Sequence, residues 1–419
     1  MIVSRFILNK LIVQTNPMYK SSHTILLLSA CFLTLFSCQQ EKKGTNESRT
    51  TQTLTITDGG IKTLDLEDGV NFEGLTALKL ASIDNKEYIT FYDYKTHSIY
   101  LYDHVTNDLF KKISMEKDGP NAVKSASKFF IHTIDSIFID SSIGIYLINS
   151  NAEVLTKKSK GARHKNGVVM VSPDSKSYRF NQDSYFKNGQ IEMVISQIRR
   201  NSKSYEYAIY DFEKDSIIKE FVQTEEIINN FDAVLKVQEE AKKRREWNSN
   251  IFRFFNRNKN HLYSSTSISD SLYIFNKGEL VKAIYAGVPK IEIADYTDYA
   301  TISIAEYFEG GMSIHENPKQ PAYYKQMLMS PNGRYVYRVL YHGAKPKFVD
   351  SNEKPIPSSI GTTLIVIDTE TEELSYHELP IEEIDIDRNL FVSNEGIFFR
   401  VKDQQNEDQV QFRFFKVTK

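Results

Sequence analysis

Tyr88-Ile89-Thr90-Phe91-Tyr92-Asp93, then Ser98-Ile99-Tyr100-Leu101-Tyr102-Asp103, then Leu109-Phe110-Lys111-Lys112-Ile113: these three runs, parted by Tyr94-Lys95-Thr96-His97 and a second polar turn, decide the fold. Each is β-branched and aromatic, of strand length, and closed by turn-forming residues, so the stretch Tyr88 to Val123 reads as strand, turn, strand, turn, strand and loop. Its closing unit is a short apolar strand ending in Asp or Asn, a polar turn, and an apolar strand carrying lysines or glutamates. The unit recurs at Ile145 to Asn149 with Val154-Leu155, at Ala208 to Asp211 with Ile217-Ile218, at Leu272 to Asn276 with Leu280-Val281, and at Leu364 to Asp368 with Leu374. Repetition at this interval predicts an antiparallel repeat architecture.

Working outward, the 419 residues are 41% hydrophobic and 12% aromatic, enough for one large repeat assembly or two to three ordinary domains. The first 37 residues contain Arg5, Lys10 and Lys20 and no acid, so their removal leaves 49 basic against 54 acidic side chains, a formal charge of -5. That balance gives no reason to expect a nucleic-acid partner.

Ile25 to Phe36 is an apolar run after Lys20, too short for the ~20 residues that span a bilayer and matched to the core of a signal peptide. Leu35-Phe36-Ser37-Cys38 follows and resembles the lipobox of bacterial lipoproteins. The resemblance implies a lipidated Cys38 at the new N-terminus after removal of residues 1–37, and Met18 stands where translation would start directly before the signal. Cys31 is then discarded, and the mature chain keeps no disulfide, no thiolate metal site and no cysteine nucleophile. Several acyl chains, at ~0.8 kcal/mol per buried methylene, anchor durably.

Residues 38–53 are polar and read as the lipidated cysteine with a flexible tether. Residues 54–419 are expected to form one domain. Thr53 to Thr57 and Ile61 to Leu66 alternate like strands but have no local partner, and one of them is assigned to pair with Gln409 to Val417 at the other end of the chain, which removes a sheet edge. Val169-Met170-Val171-Ser172-Pro173-Asp174 echoes Met327-Leu328-Met329-Ser330-Pro331-Asn332, and an Asp follows each proline at nearly the same distance, at Asp211 and Asp368. Residues 224–247 break the pattern. Thr224 can cap, Glu225-Glu226 and Lys242 to Arg245 complement a helix dipole, and Ile227, Phe231, Val234 and Leu235 form one stripe, so a helical insertion is expected there.

The Ser-Pro turns and the four-strand spacing resemble β-propeller blades. Together with the lipobox and the loop Asp118-Gly119-Pro120-Asn121-Ala122-Val123, they resemble a Bacteroidota lipoprotein family, domain of unknown function 4221. The resemblance implies an all-β propeller of six blades, with seven as the alternative, closed by an N-terminal strand, in a lipoprotein of the outer membrane that is periplasmic or surface-exposed. In propellers the loop from an outer strand to the next inner strand lies by the channel rim, which makes Lys117, Asp118, Gly119, Pro120 and Asn121 the candidate ligand-binding residues.

No His-Glu-x-x-His, Gly-x-Ser-x-Gly, Walker or dinucleotide pattern occurs. No catalytic residue, metal ligand or cofactor is therefore assigned. The favoured expectation is a binding module, membrane-held through Cys38, for a peptide, glycan or envelope protein. The alternative is a propeller hydrolase or lyase of an envelope or nutrient polymer, using dispersed groups such as His132 or His342.

Overall fold

The structure is a computed structural model that describes residues 54–70, 75–124, 126–141, 143–159, 163–165, 168–170, 176–180, 186–197, 205–221, 253–258, 261–267, 269–276, 279–291, 293, 322–347, 356–404 and 406–419. The signal segment, Cys38, the tether and the helix expected at 224–247 lie outside these residues.

Among the described residues every element is a strand. β1 (Thr55–Asp65) comes first. Blade 1 is β2 (Leu75–Ile83), β3 (Lys86–Asp93), β4 (Ser98–Asp103) and β5 (Leu109–Ser114), and blade 2 is β6 (Ala126–Thr133), β7 (Ser136–Ser141), β8 (Gly144–Ile148) and β9 (Val154–Ser159). A small hairpin, β10 (Arg163–Lys165) and β11 (Val168–Met170), precedes blade 3, which runs β12 (Lys176–Phe180), the two-residue β13 (Phe186–Lys187), β14 (Gln190–Gln197), β15 (Tyr205–Asp211) and β16 (Ser216–Phe221). Blade 4 is β17 (Arg253–Arg257), β18 (Leu262–Thr266), β19 (Ser271–Asn276) and β20 (Glu279–Tyr285). Blade 5 is β21 (Tyr323–Met329) and β22 (Tyr335–Tyr341), then a hairpin of β23 (Ala344–Lys347) and β24 (Ile356–Ser359), then β25 (Thr362–Asp368) and β26 (Leu374–Glu378). Blade 6 is β27 (Ile384–Val392), β28 (Gly396–Val401) and β29 (Gln409–Thr418), and β1 completes it as the outermost strand.

The six sheets form a six-bladed β-propeller closed by its N-terminal strand. The two short strands expected at its start are one strand, paired from Thr55↔Thr418 to Asp65↔Gln409 and interrupted by a bulge at Gly59. A side chain there would collide with the Phe414 ring. The first strands of the blades abut around the axis, β2 against β27 and β6, and β21 against β17 and β27.

The repeating unit has a physical basis. In blades 1, 2, 3 and 5 the Asp or Asn that ends the third strand accepts backbone N–H groups of the following turn. Asp103 Oδ1 takes Val105 and Thr106 at 2.8 and 3.0 Å, Asn149 Oδ1 takes Asn151 and Glu153 at 3.0 Å each, and Asp368 Oδ1 takes Glu370 and Thr371 at 2.9 and 3.1 Å. Asn107, Ala152, Asp215 and Glu372 then adopt φ between +52° and +68° to send the chain back. In blades 1 to 4 the returning outer strand carries a bulge, and its extra residue, Phe110, Leu155, Ile218 or Val281, is turned out to solvent. Bulges twist an edge away from foreign strands.

The core lies between blades. Tyr92, Ile99, Leu101 and Ile113 meet Phe129, Ile137, Ile139 and Ile148 across blades 1 and 2, and Tyr337, Val339, Leu364 and Val366 meet Ile384, Leu390, Ile397 and Phe399 across blades 5 and 6. Each blade thus needs its neighbour to bury both faces.

Candidate functional site

In an antiparallel four-strand blade, the turns after the first and third strands fall on the same end of the molecule. Here that end is called the exit face, because the inner strands run out onto it. Leu54 and the start of β1 also lie there, since Thr55 pairs with Thr418 at the end of β29.

A cavity of about 190 Å³ opens between the last halves of four inner strands. Leu78 to Ser82 of β2, Phe130 and Ile131 of β6, Leu328 and Met329 of β21 with Pro331 beyond it, and Leu390 to Val392 of β27 line it. Bulges interrupt all four of these strands, between Thr76 and Lys79, Ala126 and Lys128, Tyr324 and Gln326, and Asp385 and Leu390. At the first of them Ala77 takes φ +53°, a strained value for a residue with a side chain. The lining side chains are apolar except for Ser82 and Lys79, and polar and apolar atoms share the exposed lining surface about equally. The Lys79 ammonium donates to the Phe129 carbonyl and lies 5.0 Å over the Phe129 ring and 5.9 Å over that of Phe130. Drug-sized ligands fill ~300–1,000 Å³. This cavity suits a single apolar group: an engineered dry cavity of ~150 Å³ takes a benzene ring.

The sequence-derived loop lies elsewhere. Lys117, Asp118, Gly119 and Pro120 are exposed on the connection that enters β6 at its first residue, the opposite end of the inner strands from the cavity, and they are absent from its lining. Gly119 has φ +102°, which supplies the reason for a glycine. Ala122 N–H donates to the Gly119 carbonyl at 3.2 Å and Val123 N–H to Glu116 at 3.1 Å, so the loop is a tight closed turn. The half-buried Asn121 accepts the Val154 N–H at 3.1 Å and ties the loop to blade 2. Beneath it, Tyr92 donates to His97 Nδ1 at 2.6 Å and His97 Nε2–H to the Val123 carbonyl at 2.9 Å. Both contacts suit a neutral imidazole. Burial, reinforced by the charge of Lys117, holds the His97 pKa below its ordinary value against the pull of the Val123 carbonyl.

The structure does not bring the two histidines of the hydrolytic alternative together. His132 is exposed near the end of β6 with its ring edge-on to Phe186, 5.2 Å away. His342 follows β22 on the far side from the exit face and contacts Thr363 Oγ1 at 2.7 Å. Among the described residues no group of three or more His, Cys, Asp or Glu converges to hold a metal, and no helix is long and apolar enough to cross a membrane.

Motif reading does not reach the cavity, because its residues come from four distant segments and none is chemically unusual. The available signal was that two of these inner strands end on consecutive apolar residues, Met327-Leu328-Met329 and Leu390-Phe391-Val392, instead of alternating.

Fold and cavity together define a six-bladed propeller with an apolar pocket at one end of its axis. The family model for domain of unknown function 4221 matches residues 53–370, and the chain belongs to that family. Among solved structures, it is similar to a member of the same family from Bacteroides vulgatus, at 14% identity and a TM-score of 0.61 over 87% of this chain and 99% of that one. A Bacteroides fragilis protein named for its expected export matches at 11% identity and a TM-score of 0.49, over 87% of this chain and 96% of that one. Comparison with curated proteins finds no match.

Proposed function

We propose that the chain is a lipid-anchored module of the cell envelope, held at the outer membrane through Cys38, periplasmic or surface-exposed, that binds a peptide, glycan or envelope protein. The observation that carries the reading is the axial cavity. Its walls come from four blades, their side chains are apolar apart from Ser82 and Lys79, and among the described residues no group of three or more His, Cys, Asp or Glu gathers there. Such a pocket can receive an apolar group against its Leu, Ile, Phe and Met side chains. The exposed loop Lys117 to Pro120, fixed by Asn121 at the opposite end of the inner strands, is a separate candidate surface. The hydrolase or lyase reading gains no support from His132 and His342, which sit at opposite ends of their blades.

Two measurements test the reading. Mass analysis of the N-terminal peptide is expected to find acyl chains on Cys38, and Cys38→Ala to move the protein into the soluble fraction; an unmodified Cys38 removes the anchor. Affinity capture from envelope extracts, with the mature chain compared with Ser82→Trp and with Asp118→Ala/Asn121→Ala, is expected to lose the partner in one variant or the other. Equal recovery by all three would discard both surfaces.

A further inference from the structure

The exit face combines the apolar cavity with a strongly acidic surround. Three of the inner strands that wall the cavity run directly into turns bearing an exposed carboxylate: Asp84 after β2, Asp135 after β6, and Glu395 after β27. Glu87, half-buried at the start of β3, adds a fourth, and its side chain accepts from Asn394 at 2.9 Å. The outer turns on this face add Asp108, Glu153, Glu213, Asp215 and Glu370, all exposed.

The cations nearby offset them only in part. Arg334 and Lys419 are committed to the buried Asp368 carboxylate, at 3.4 and 3.2 Å, and Lys214 to Asp211 at 3.0 Å. Lys62 and Lys79 donate to the His104 and Phe129 carbonyls and keep their charge, Lys62 attracting Glu395, while Lys111 attracts Asp135 and Arg257 ends β17 on this face. Lys86, beside Asp84, is the exposed exception at the cavity mouth. The imbalance registers on Glu87, whose pKa is raised by burial and further by the negative charge of Glu395.

We infer that the cavity seats one apolar side chain of a partner polypeptide, and that lysines or arginines flanking that side chain lie on the Asp84, Asp135 and Glu395 turns. Two features of the face select this occupant. A pocket of about 190 Å³ holds one leucine- or phenylalanine-sized group, which is an anchor residue and not an extended apolar surface. Carboxylates spaced around the mouth disfavour an anionic lipid headgroup or acidic glycan and attract a basic segment, adding on-rate and specificity to the affinity that the anchor supplies. The inference rests on the binding-module reading and specifies its ligand.

The test uses the mature full-length chain and three fluorescein-labelled pentapeptides, Lys-Lys-Leu-Lys-Lys, Lys-Lys-Ser-Lys-Lys and Glu-Glu-Leu-Glu-Glu, with binding read by fluorescence anisotropy. The first is expected to bind, with an affinity that falls as salt is raised. The serine peptide should bind roughly tenfold more weakly and the acidic peptide not at all. Ser82→Trp, at an exposed position on the mouth, should weaken the leucine peptide about tenfold with an unchanged melting temperature. Asp84→Lys/Glu395→Lys should weaken it and admit the acidic peptide. Equal binding of the serine or acidic peptide, indifference to Ser82→Trp, or no binding by any peptide overturns the inference. If envelope capture still yields a partner lost in Ser82→Trp, the binding module stands and only its ligand class falls.

Discussion

The seam between blades 4 and 5 and the seam between blades 1 and 2 solve one packing problem with opposite chemistry. In the first, Arg338 of β22 is fully buried, its guanidinium 3.5 Å from the Tyr324 ring centre. Nη1 donates to the Ala286 and Asp270 carbonyls at 3.0 and 3.4 Å, and Nη2 to the Ser269 carbonyl and Ser265 Oγ at 2.6 and 2.9 Å. The Tyr324 hydroxyl donates to Asp270 Oδ1 at 2.5 Å. A single cation from blade 5 thus gathers the acceptors at one edge of blade 4. In the second seam the middle is aliphatic and aromatic, and the polar work is done at one end by the neutral Tyr92–His97–Val123 chain and by Asn121. The difference teaches that a charge in a dry seam is held by what would happen without it. Burial lowers even the Arg338 pKa, to about 10, yet a partnered guanidinium is better than orphaned carbonyls.

The comparison breaks most visibly at Arg338. Arg338→Ala leaves four acceptors of blade 4, the Ser269, Asp270 and Ala286 carbonyls and Ser265 Oγ, without the guanidinium and opens a cavity, and it is expected to destabilise by about 4 kcal/mol in denaturant unfolding. Arg338→Lys should recover little, because one ammonium cannot span acceptors placed for a fork. A loss near 1 kcal/mol for Arg338→Ala would mean that the aliphatic layer alone holds this seam.

The other seam should answer to pH. The native His97 pKa lies below its unfolded value of ~6.5, so as pH falls through that value the unfolded chain gains a proton that the folded chain does not. Stability is therefore full above the unfolded pKa and is lost on acidification, by at most ~1.4 kcal/mol per pH unit, until the native ring also protonates. His97→Asn, which tolerates the φ of +53° at this position, should reduce the slope of the stability profile between about pH 7 and about pH 5, the remainder coming from buried His104, whose pKa burial lowers to about 4, and from His342. An unchanged slope would show that protonated His97 is accommodated. Asn121→Ala removes one acceptor from the Val154 N–H in the same seam, and about 1 kcal/mol is expected from thermal unfolding.

How much of this was legible in the sequence depends on whether a feature is local. The Asp- and Asn-closed units marked the third and fourth strands of the blades because Asp103, Asn149, Asp211 and Asp368 bond to their own turns, a property of a few consecutive residues. Closure by the N-terminal strand was also readable, since both chain ends carried strand patterns without partners. The Ser-Pro echo misled in detail. Pro331 turns β21 into β22, whereas in the other copy residues 171–175 lie outside the described set and the next strand, β12, is the innermost of its blade. The nearly equal spacing to Asp211 and Asp368 arises because blade 5 inserts the β23–β24 hairpin between its second and third strands, while blade 3 spends a similar length on β12 and β13 ahead of its second. Bulges stayed hidden because register depends on the partner strand. The cavity and the Arg338 network stayed hidden because they assemble across blades, although one arginine within Tyr335-Val336-Tyr337-Arg338-Val339-Leu340 was a visible anomaly.

The finest test returns to the seam of blades 4 and 5, which also carries an ion pair at its surface. Lys282 of β20 reaches Glu372 in the β25–β26 turn of blade 5, joining the same two blades as Arg338. Both side chains are substantially exposed, 46% and 40%, so water screens the attraction and holding two long side chains together costs entropy. Lys282→Ala should change unfolding free energy by less than about 1 kcal/mol and the residual effect should vanish in high salt. If it instead approached the cost of Arg338→Ala, the seam would be held from its rim, and the buried guanidinium would be a consequence of blade docking and not its cause.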